Sequence, residues 1–399
     1  MVTGESTDMA SSSERATAMT IDMVLARYRD LLRDGLRDAV QRAGAAIPRA
    51  DAVAGLLDDF YAQIEYHLGW RLPDLTPTTP ATAHTGKLLR PALVLFSCDL
   101  AAGHAGLDAA ARADLLRRIV PAAVCIELVH NFSLIHDDIE DGDEERHHYP
   151  TLWKLWGVSQ AINTGDGLFS LARMGLWQLA DAGIDARIIV QLASLLDRTC
   201  LELCEGQYLD MRYEGWREIT VPMYLEMIGR KTAALMACAT GFGALLAAPD
   251  DIALHQHLAS FGRALGIAFQ LRDDLLGVWE AEWLGKTAAG DLRRKKMSLP
   301  VIHALETAAA ADRATLERIY ATDDAASETE IAEVLAILDR TGARARVRTT
   351  LREQGAIAHV ALREAAGAHA SPTKDTPKDT PDDAYLALAT LLDFVLAAE

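Results

Sequence analysis

Apolar residues recur along the chain in long alanine- and leucine-rich runs with few β-branched residues, a pattern typical of helices. No linker interrupts these runs between residues 19 and 365, so we expect one all-α domain there. Residues 1–18 are polar and are predicted to form a disordered tail. Residues 366–383, with the repeat KDTPKDTP, are typical of a low-complexity linker, and residues 384–399 predict one more helix.

Two acidic clusters interrupt the apolar runs. The first acidic cluster is Asp137, Asp138 and Asp141 in LIHDDIED, and the second acidic cluster is Asp273 and Asp274 in FQLRDD. A buried helix face cannot hold so much negative charge unless cations neutralise it. On a helix, Asp137 and Asp141 lie one turn apart on the same side, with Asp138 about 100° round, so their oxygens can converge on shared cations.

Magnesium is the cation that this arrangement favours, because Mg²⁺ prefers oxygen ligands and is usually completed by substrate phosphates. Two such clusters predict two helices that face each other across a cavity and bind a polyphosphate. The alternative is that both clusters are solvated helix ends, since adjacent aspartates are common on protein surfaces.

Basic residues that could bind these phosphates are also present. In GKLLRP, Lys87 and Arg90 are three residues apart, which predicts one shared face at the start of an apolar helix that ends near Cys98. After the first acidic cluster, the candidate phosphate-binding residues are Arg146, Lys231, Lys286, Lys295 and Lys296. Each group alone could be an ordinary solvated surface, but their presence beside two acidic clusters favours diphosphate binding.

Six motifs, in order along the chain, resemble those of the trans-isoprenyl diphosphate synthases of the polyprenyl synthetase family. They are GKLLRP, ELVHNFSLIHDDIED, the PT of YPTLW, GQYLD, GRKTAAL, and FQLRDD followed by GKTAAGDLRRKKMSLP. The resemblance implies the isoprenoid synthase fold, an all-α helical bundle around a central apolar cavity with two facing aspartate-rich motifs. It also implies a Mg²⁺-dependent prenyltransferase that condenses an allylic diphosphate with isopentenyl diphosphate, and a homodimer.

The same resemblance implies roles for individual residues. Metal binding is assigned to Asp137, Asp138, Asp141 and Asp273, with about three Mg²⁺ ions completed by the substrate diphosphate. Asp274, Lys231 and Arg146 join these carboxylates in the catalytic set. The shell around the allylic diphosphate is assigned to Gln207, Asp210, Lys231, Thr232, Gln270 and Lys286. The second diphosphate, that of isopentenyl diphosphate, is assigned to Lys87, Arg90 and His130.

Product length is the next property that the resemblance addresses. It singles out Phe132 and Ser133 as the floor of the cavity that holds the growing chain. A bulky ring beside a small residue implies an intermediate depth, so we expect mainly geranylgeranyl diphosphate. The alternative is that Phe132 only packs in the core.

Two departures from the family pattern leave other functions open. His147 stands where a second arginine is usual, and a neutral imidazole offers fewer donors than a guanidinium. Gly277 stands where a third aspartate is usual. A class I terpene cyclase on the same fold needs only one diphosphate and remains an alternative. A non-catalytic subunit is a further alternative, but the intact DDIED motif argues against it. Lys87, Arg90 and His130 favour elongation over cyclisation.

Composition bears on the class of binding partner and on the cellular compartment. The formal charge of −18 disfavours a nucleic-acid surface. The five cysteines lie in apolar stretches and are expected to pack in the core, although Cys200 and Cys204 are one turn apart. An odd number of cysteines without a signal peptide is typical of a cytoplasmic protein. No apolar run reaches the length of a membrane span.

Overall fold

The computed structural model describes residues 20–79, 86–214, 218–279, 289–322, 324–367 and 382–397. The predicted tail at residues 1–18, Lys286 and the KDTP repeat at residues 374–381 lie outside these ranges.

Helices form nearly all of the regular structure in the described ranges, which confirms the predicted all-α class. They are α1 (Ile21–Ala46), α2 (Ala54–His67), α3 (Leu89–His104), α4 (Ala109–Arg118), α5 (Val120–Glu140), α6 (Leu152–Trp156), α7 (Val158–Asp181), α8 (Ala186–Tyr213), α9 (Val221–Ile228), α10 (Ala234–Ala247), α11 (Ile252–Trp279), α12 (Gly290–Arg293), α13 (Leu299–Thr307), α14 (Ala310–Ile319), α15 (Glu328–Arg340), α16 (Ala343–Ala366) and α17 (Asp382–Leu396). A short 3₁₀ turn (Asp51–Val53) precedes α2, and a π turn (Gly229–Ala233) joins α9 to α10.

The two acidic clusters lie on α5 and α11, which are central to the packing. Helix α5 packs against α7, α3 and α1, and helix α11 packs against α10 and α16. Both helices are apolar on most of their circumference, which is typical of helices buried along their length. A hairpin of β1 (Glu145–Arg146) and β2 (Tyr149–Pro150), paired antiparallel, follows α5 directly. It returns the chain toward the first acidic cluster.

Helix α17 belongs to the main hydrophobic core. Its Leu388, Leu391 and Leu392 are buried there together with residues of α1, α3 and α11. A Cβ added at Gly355 of α16 would lie 2.7 Å from Leu396, so this glycine makes room for the end of α17. The predicted helix at residues 384–399 therefore corresponds to α17, although its described part begins two residues earlier and ends at Leu396.

Three local expectations were wrong. Lys87 precedes α3, and Leu88 adopts the left-handed conformation with φ 55°, so Lys87 and Arg90 do not share a helical face. The helix they introduce continues past Cys98 to His104. Cys204 is exposed, whereas the other four cysteines pack in the core as expected.

No single helix in the described ranges combines the length and the apolar composition of a membrane span. Helices α4 and α5 satisfy the criterion only when taken together, across a bend of 44°.

Candidate active site

The first acidic cluster ends helix α5. The Asp141 amide donates to the Asp137 carbonyl at 2.8 Å, so these carboxylates have the one-turn spacing. Burial raises the pKa of Asp137 to about 7, against the effect of Lys231 and with the help of Asp141 and Glu140. Burial also raises the pKa of Asp141. Burial therefore disfavours the ionised form of these carboxyls, and a bound divalent cation would favour it.

Asp138 has a different environment from its two neighbours. Its side chain is buried, and its Oδ1 accepts hydrogen bonds from Nε and Nη2 of Arg146 at 2.9 and 2.6 Å. Burial raises the pKa of Asp138, and the bonds from Arg146 oppose that shift. The β1–β2 hairpin thus holds a guanidinium against one member of the cluster.

Lys231 lies in the π turn and forms an ion pair with Asp210 of α8. Burial acts to lower the pKa of Lys231, but the charges of Asp210, Asp137 and Asp141 outweigh it and hold that pKa above its ordinary value. Lys231 therefore joins the last turn of α8 to the first acidic cluster.

Two glycines allow neighbouring helices to approach the π turn closely. A Cβ added at Gly206 of α8 would overlap the backbone nitrogen of Lys231. One added at Gly266 of α11 would lie 2.5 Å from the Cα of Ala233. The backbone that presents Lys231 is therefore held between two helices, and a side chain at either glycine would displace it.

Polar side chains of the predicted allylic shell surround this turn. The Thr232 hydroxyl donates to Gln270 Oε1 at 3.1 Å. The amide nitrogen and oxygen of Gln207 are buried and have no hydrogen-bond partner within the described ranges. A buried amide without a partner is costly, so Gln207 is suited to a ligand that donates and accepts there.

The two members of the second acidic cluster differ sharply. Asp273 is exposed, whereas Asp274 is 1% exposed. Asp274 accepts hydrogen bonds from the Tyr224 hydroxyl at 2.6 Å, the Leu299 amide at 3.3 Å and Gln270 Nε2 at 3.3 Å. Burial raises the pKa of Asp274 to about 6. Asp274 thus ties α9 and the start of α13 to α11, whereas Asp273 faces the solvent.

Asp291 of α12 occupies the space beside Gly277. A Cβ added at Gly277 would overlap the Asp291 carboxylate, so a third aspartate at that position would require Asp291 to move. Desolvation acts to lower the pKa of Lys296, but the charges of Asp291, Asp274 and Asp210 outweigh it and raise that pKa. Because Asp210 also pairs with Lys231, these charges connect the two acidic clusters.

Arg90 and His130 of the predicted second diphosphate site are in contact. Arg90 Nη1 lies 3.0 Å from His130 Nε2. Burial, together with the charge of Arg90, lowers the pKa of His130 well below its ordinary value, so the neutral ring accepts this hydrogen bond. Burial also lowers the pKa of Arg90, while the carboxylates of Glu127 and Asp273 oppose it.

A cavity of about 120 Å³ adjoins this pair. His130, Arg146 and His147 line it together with Gly86, which precedes Lys87. His147, the residue that replaces the usual arginine, is therefore on the wall of the same cavity. It adopts φ 52°, a left-handed conformation that is uncommon for a side-chain-bearing residue.

The predicted cavity floor lies where α5 meets α7. The Phe132 ring centroid is 5.1 Å from that of Phe169 and 5.4 Å from that of His136. A Cβ added at Gly165 of α7 would overlap the His136 ring, so this glycine sets the closeness of the two helices. The Ser133 hydroxyl donates to the His130 carbonyl at 2.8 Å and is turned toward its own helix.

Sequence reasoning missed several residues of this region. Tyr224 and Phe394 lie outside every motif, and Arg272 lies within FQLRDD but was given no role; their contacts join segments far apart along the chain. Gly206 could have been noticed, because it begins the motif GQYLD.

The two acidic clusters supply carboxylate oxygens, which are possible ligands for a metal ion. The described ranges contain no ready-made group of three aspartate, glutamate, histidine or cysteine ligands. The exposed Asp273 and the half-buried Asp137 nevertheless offer hard oxygen donors. That set fits Mg²⁺, which keeps several waters and binds through few carboxylates plus substrate phosphates.

Comparisons with known proteins support one family. The family model described as "Polyprenyl synthetase" matches residues 75–338. A geranylgeranyl diphosphate synthase of Mycobacterium tuberculosis is 37% identical over 292 residues, which is 73% of this chain and 78% of that protein. A (2E,6E)-farnesyl diphosphate synthase of the same organism is also 37% identical, over 70% of this chain and 74% of that protein.

A solved structure gives the same result. The polyprenyl synthetase from Streptomyces coelicolor A3(2) superposes with a TM-score of 0.76 at 34% identity, covering 94% of this chain and 99% of that one. The predicted isoprenoid synthase fold is thereby confirmed.

Proposed function

Since the chain belongs to the polyprenyl synthetase family, we propose that it condenses an allylic prenyl diphosphate with isopentenyl diphosphate and releases mainly geranylgeranyl diphosphate. The family makes it a trans-prenyltransferase, and the choice of product is our proposal. One observation supports condensation above the others. Arg90 bonds to His130 on the helix of the first acidic cluster and is also acted on by the charge of Asp273 in the second.

Each step of the reaction has residues suited to it. Lys231 and Gln207 would bind the allylic diphosphate, and Asp137, Asp141 and Asp273 would hold Mg²⁺. When bound, Mg²⁺ neutralises charge that develops on the leaving diphosphate. We assign Asp138 to orienting Arg146, because its Oδ1 already accepts two hydrogen bonds.

Carbon–carbon bond formation then needs positioning more than covalent chemistry. The allylic C–O bond breaks to give diphosphate and a carbocation, and the alkene of isopentenyl diphosphate attacks that cation. Loss of a proton, taken up by the released diphosphate, completes the product. Arg90, Lys87 and His130 would hold the second substrate in line, which supplies much of the rate.

The test is a comparison of two incubations with Mg²⁺. Farnesyl diphosphate plus isopentenyl diphosphate should yield geranylgeranyl diphosphate, whereas geranylgeranyl diphosphate alone should be returned unchanged. Asp273→Asn should abolish the first reaction without loss of folding, because Asp273 is exposed. A hydrocarbon from geranylgeranyl diphosphate alone would replace our proposal with the terpene cyclase.

That second candidate function is favoured by one observation. His147 lines the cavity beside His130, where the family pattern would supply an arginine for the second diphosphate. His147→Arg is therefore informative. We expect it to lower the Michaelis constant for isopentenyl diphosphate by adding a bidentate donor. A cyclase would show no such dependence.

We extend the proposal to a cytoplasmic homodimer. Large apolar side chains are exposed on α7 and α8, including Trp177 at 52% and Leu201 at 63%. All five cysteines are free thiols, as suits a reducing compartment. Light scattering should give twice the chain mass, and Leu201→Glu should shift that mass toward one chain. A wild-type protein with the mass of one chain would contradict the dimer.

A further inference from the structure

The ring of Phe394, on helix α17, is close to two basic side chains. Arg272 Cζ is 4.0 Å from the ring centroid and Lys87 Nζ is 5.2 Å from it. Both distances fall within the roughly 6 Å over which an aromatic face attracts a cation. We call these three side chains the cation platform. They come from α17, α11 and the segment before α3, so only the folded chain brings them together.

Two positive charges near one ring repel each other. The distance between Arg272 Cζ and Lys87 Nζ cannot exceed the sum of their two distances to the ring centroid. Arg272 is 8% exposed and directly precedes Asp273, whereas Lys87 is exposed to solvent. An anion that approached from the Lys87 side would relieve the repulsion and meet both cations. The arrangement is therefore suited to an anionic ligand.

Helix α17 holds the ring in place. Phe394 is flanked by Val395, which is buried in the main core, and by Asp393, which lies 3.8 Å from His359 of α16. Gly355 of α16 accommodates Leu396 at the end of the helix. Movement of the ring would require displacement of these packed residues, so its position is defined before any ligand binds.

We propose that Arg272 is a further binding residue for the diphosphate of isopentenyl diphosphate, and that Phe394 positions Arg272 and Lys87 for it. The inference rests on the proposed condensation. It gives the second diphosphate a guanidinium in place of the one that His147 lacks. The competing explanation is that Arg272 and Phe394 only pack α11 against α17.

The first test replaces Phe394 by leucine, which keeps most of its volume but removes the aromatic face. We expect the Michaelis constant for isopentenyl diphosphate to rise about 3- to 30-fold, the range that corresponds to loss of a cation–π contact. The Michaelis constant for the allylic substrate should stay within about twofold. Phe394→Tyr, which retains the face, should behave like the wild type. Tyr385→Leu, on the same helix, is the matched control and should change neither constant.

The second test uses Arg272→Gln alone and combined with Phe394→Leu. Arg272→Gln should raise the same Michaelis constant, and the double variant should show less than the product of the two single effects, because Phe394 acts through Arg272. Arg272→Lys keeps the charge and gives a milder variant if Arg272→Gln fails to fold.

The outcomes separate this inference from the proposed function. If the wild type does not elongate prenyl diphosphates, the proposed function fails. If it elongates but Phe394→Leu binds isopentenyl diphosphate as the wild type does, only the cation platform is overturned. Equal rises in both Michaelis constants, with a lower melting temperature and no rescue by tyrosine, would show a packing role and would also overturn it.

Discussion

The Tyr224 hydroxyl donates a hydrogen bond to the buried carboxylate of Asp274. We predict that Tyr224→Phe lowers the free energy of unfolding by about 1.5–3 kcal/mol, because it removes a hydrogen bond to the charged acceptor Asp274. Urea denaturation measures this loss. Turnover should fall as well, since Asp274 adjoins Asp273, the proposed metal ligand.

Tyr61→Phe is the matched control for that prediction. The Tyr61 hydroxyl donates to the neutral carbonyl of Ala43 at 3.2 Å, so its loss should cost only about 0.5–1.5 kcal/mol. If both variants lose the same stability, Asp274 is not held as a charged acceptor.

The sequence singles out individual residues only where they lie within motifs. Asp137 and Asp141 stand out by their spacing and Lys231 by the motif GRKTAAL, and in the structure the charges of these three residues act on one another. Tyr224 and Phe394 could not be predicted, because no spacing rule connects either to its partner elsewhere in the chain. Asp138 shows a subtler limit, since the motif does not reveal that Arg146 occupies its oxygen.

Helix α8 meets the π turn at a glycine, and this contact can be tested. We predict that Gly206→Ala costs about 1–3 kcal/mol by overpacking and reduces turnover further by displacing Lys231. Thermal melting and a steady-state assay measure the two effects. Gly55→Ala in α2 is the control. Nothing lies within 4 Å of its added Cβ, so it should stabilise the protein by about 0.4–1 kcal/mol. A stabilised, active Gly206→Ala would contradict the close approach.

The contact between α5 and α7 contains Phe132, and the next prediction concerns the length of the product. Phe132→Ala should lengthen the products and Ser133→Phe should stop them at farnesyl diphosphate, because one change deepens and the other raises the predicted floor. Product chromatography measures the lengths. Phe132 packs 5.1 Å from Phe169, so the alanine variant should also lose about 3–5 kcal/mol if the cavity stays empty.

Phe96, in the hydrophobic core, provides the control for the Phe132 variant. Phe96→Ala removes a ring that packs 4.9 Å from Tyr28 and should reduce stability without altering product length. Unchanged lengths from folded Phe132 and Ser133 variants would remove both residues from the floor.

Helices were easier to predict than their interruptions. Apolar periodicity predicts α5 and α11, but it does not reveal that Leu88 turns left-handed and separates Lys87 from α3. The π turn was missed for a related reason. Its residues, GRKTA, are compatible with an ordinary α-helix, and only the packing against Gly206 and Gly266 distinguishes it.

The stability of the whole molecule should depend on pH through the acidic clusters. Burial raises the pKa of Asp137 to about 7 and that of Asp274 to about 6, from an ordinary value of 3.8. The folded chain therefore binds these protons more tightly than the unfolded chain. Their contribution to the free energy of unfolding is present below about pH 4 and is lost as the pH rises to about 7.

A difference measurement isolates this effect in metal-free protein. Buried His67 and His130, whose pKa values burial lowers, act in the opposite direction below about pH 6.5. The free energy of unfolding of the wild type, relative to Asp137→Asn, should fall between about pH 4 and 7 and then level off. Adding Mg²⁺ and inorganic diphosphate at pH 7.5 should restore the wild type more than the variant. A difference that rises with pH would contradict the prediction.

The π turn also bears on how such a chain can change over evolutionary time. A π turn is what an α-helix becomes when it takes in one extra residue while the faces on both sides keep their partners. Deletion of a residue elsewhere in α10 would rotate all later side chains by about 100° and ruin their packing. Deletion within Gly229–Ala233 would instead leave a continuous helix and remove the bulge that presents Lys231. Insertions and deletions at this point can therefore add or remove the proposed phosphate-binding lysine without rebuilding the fold.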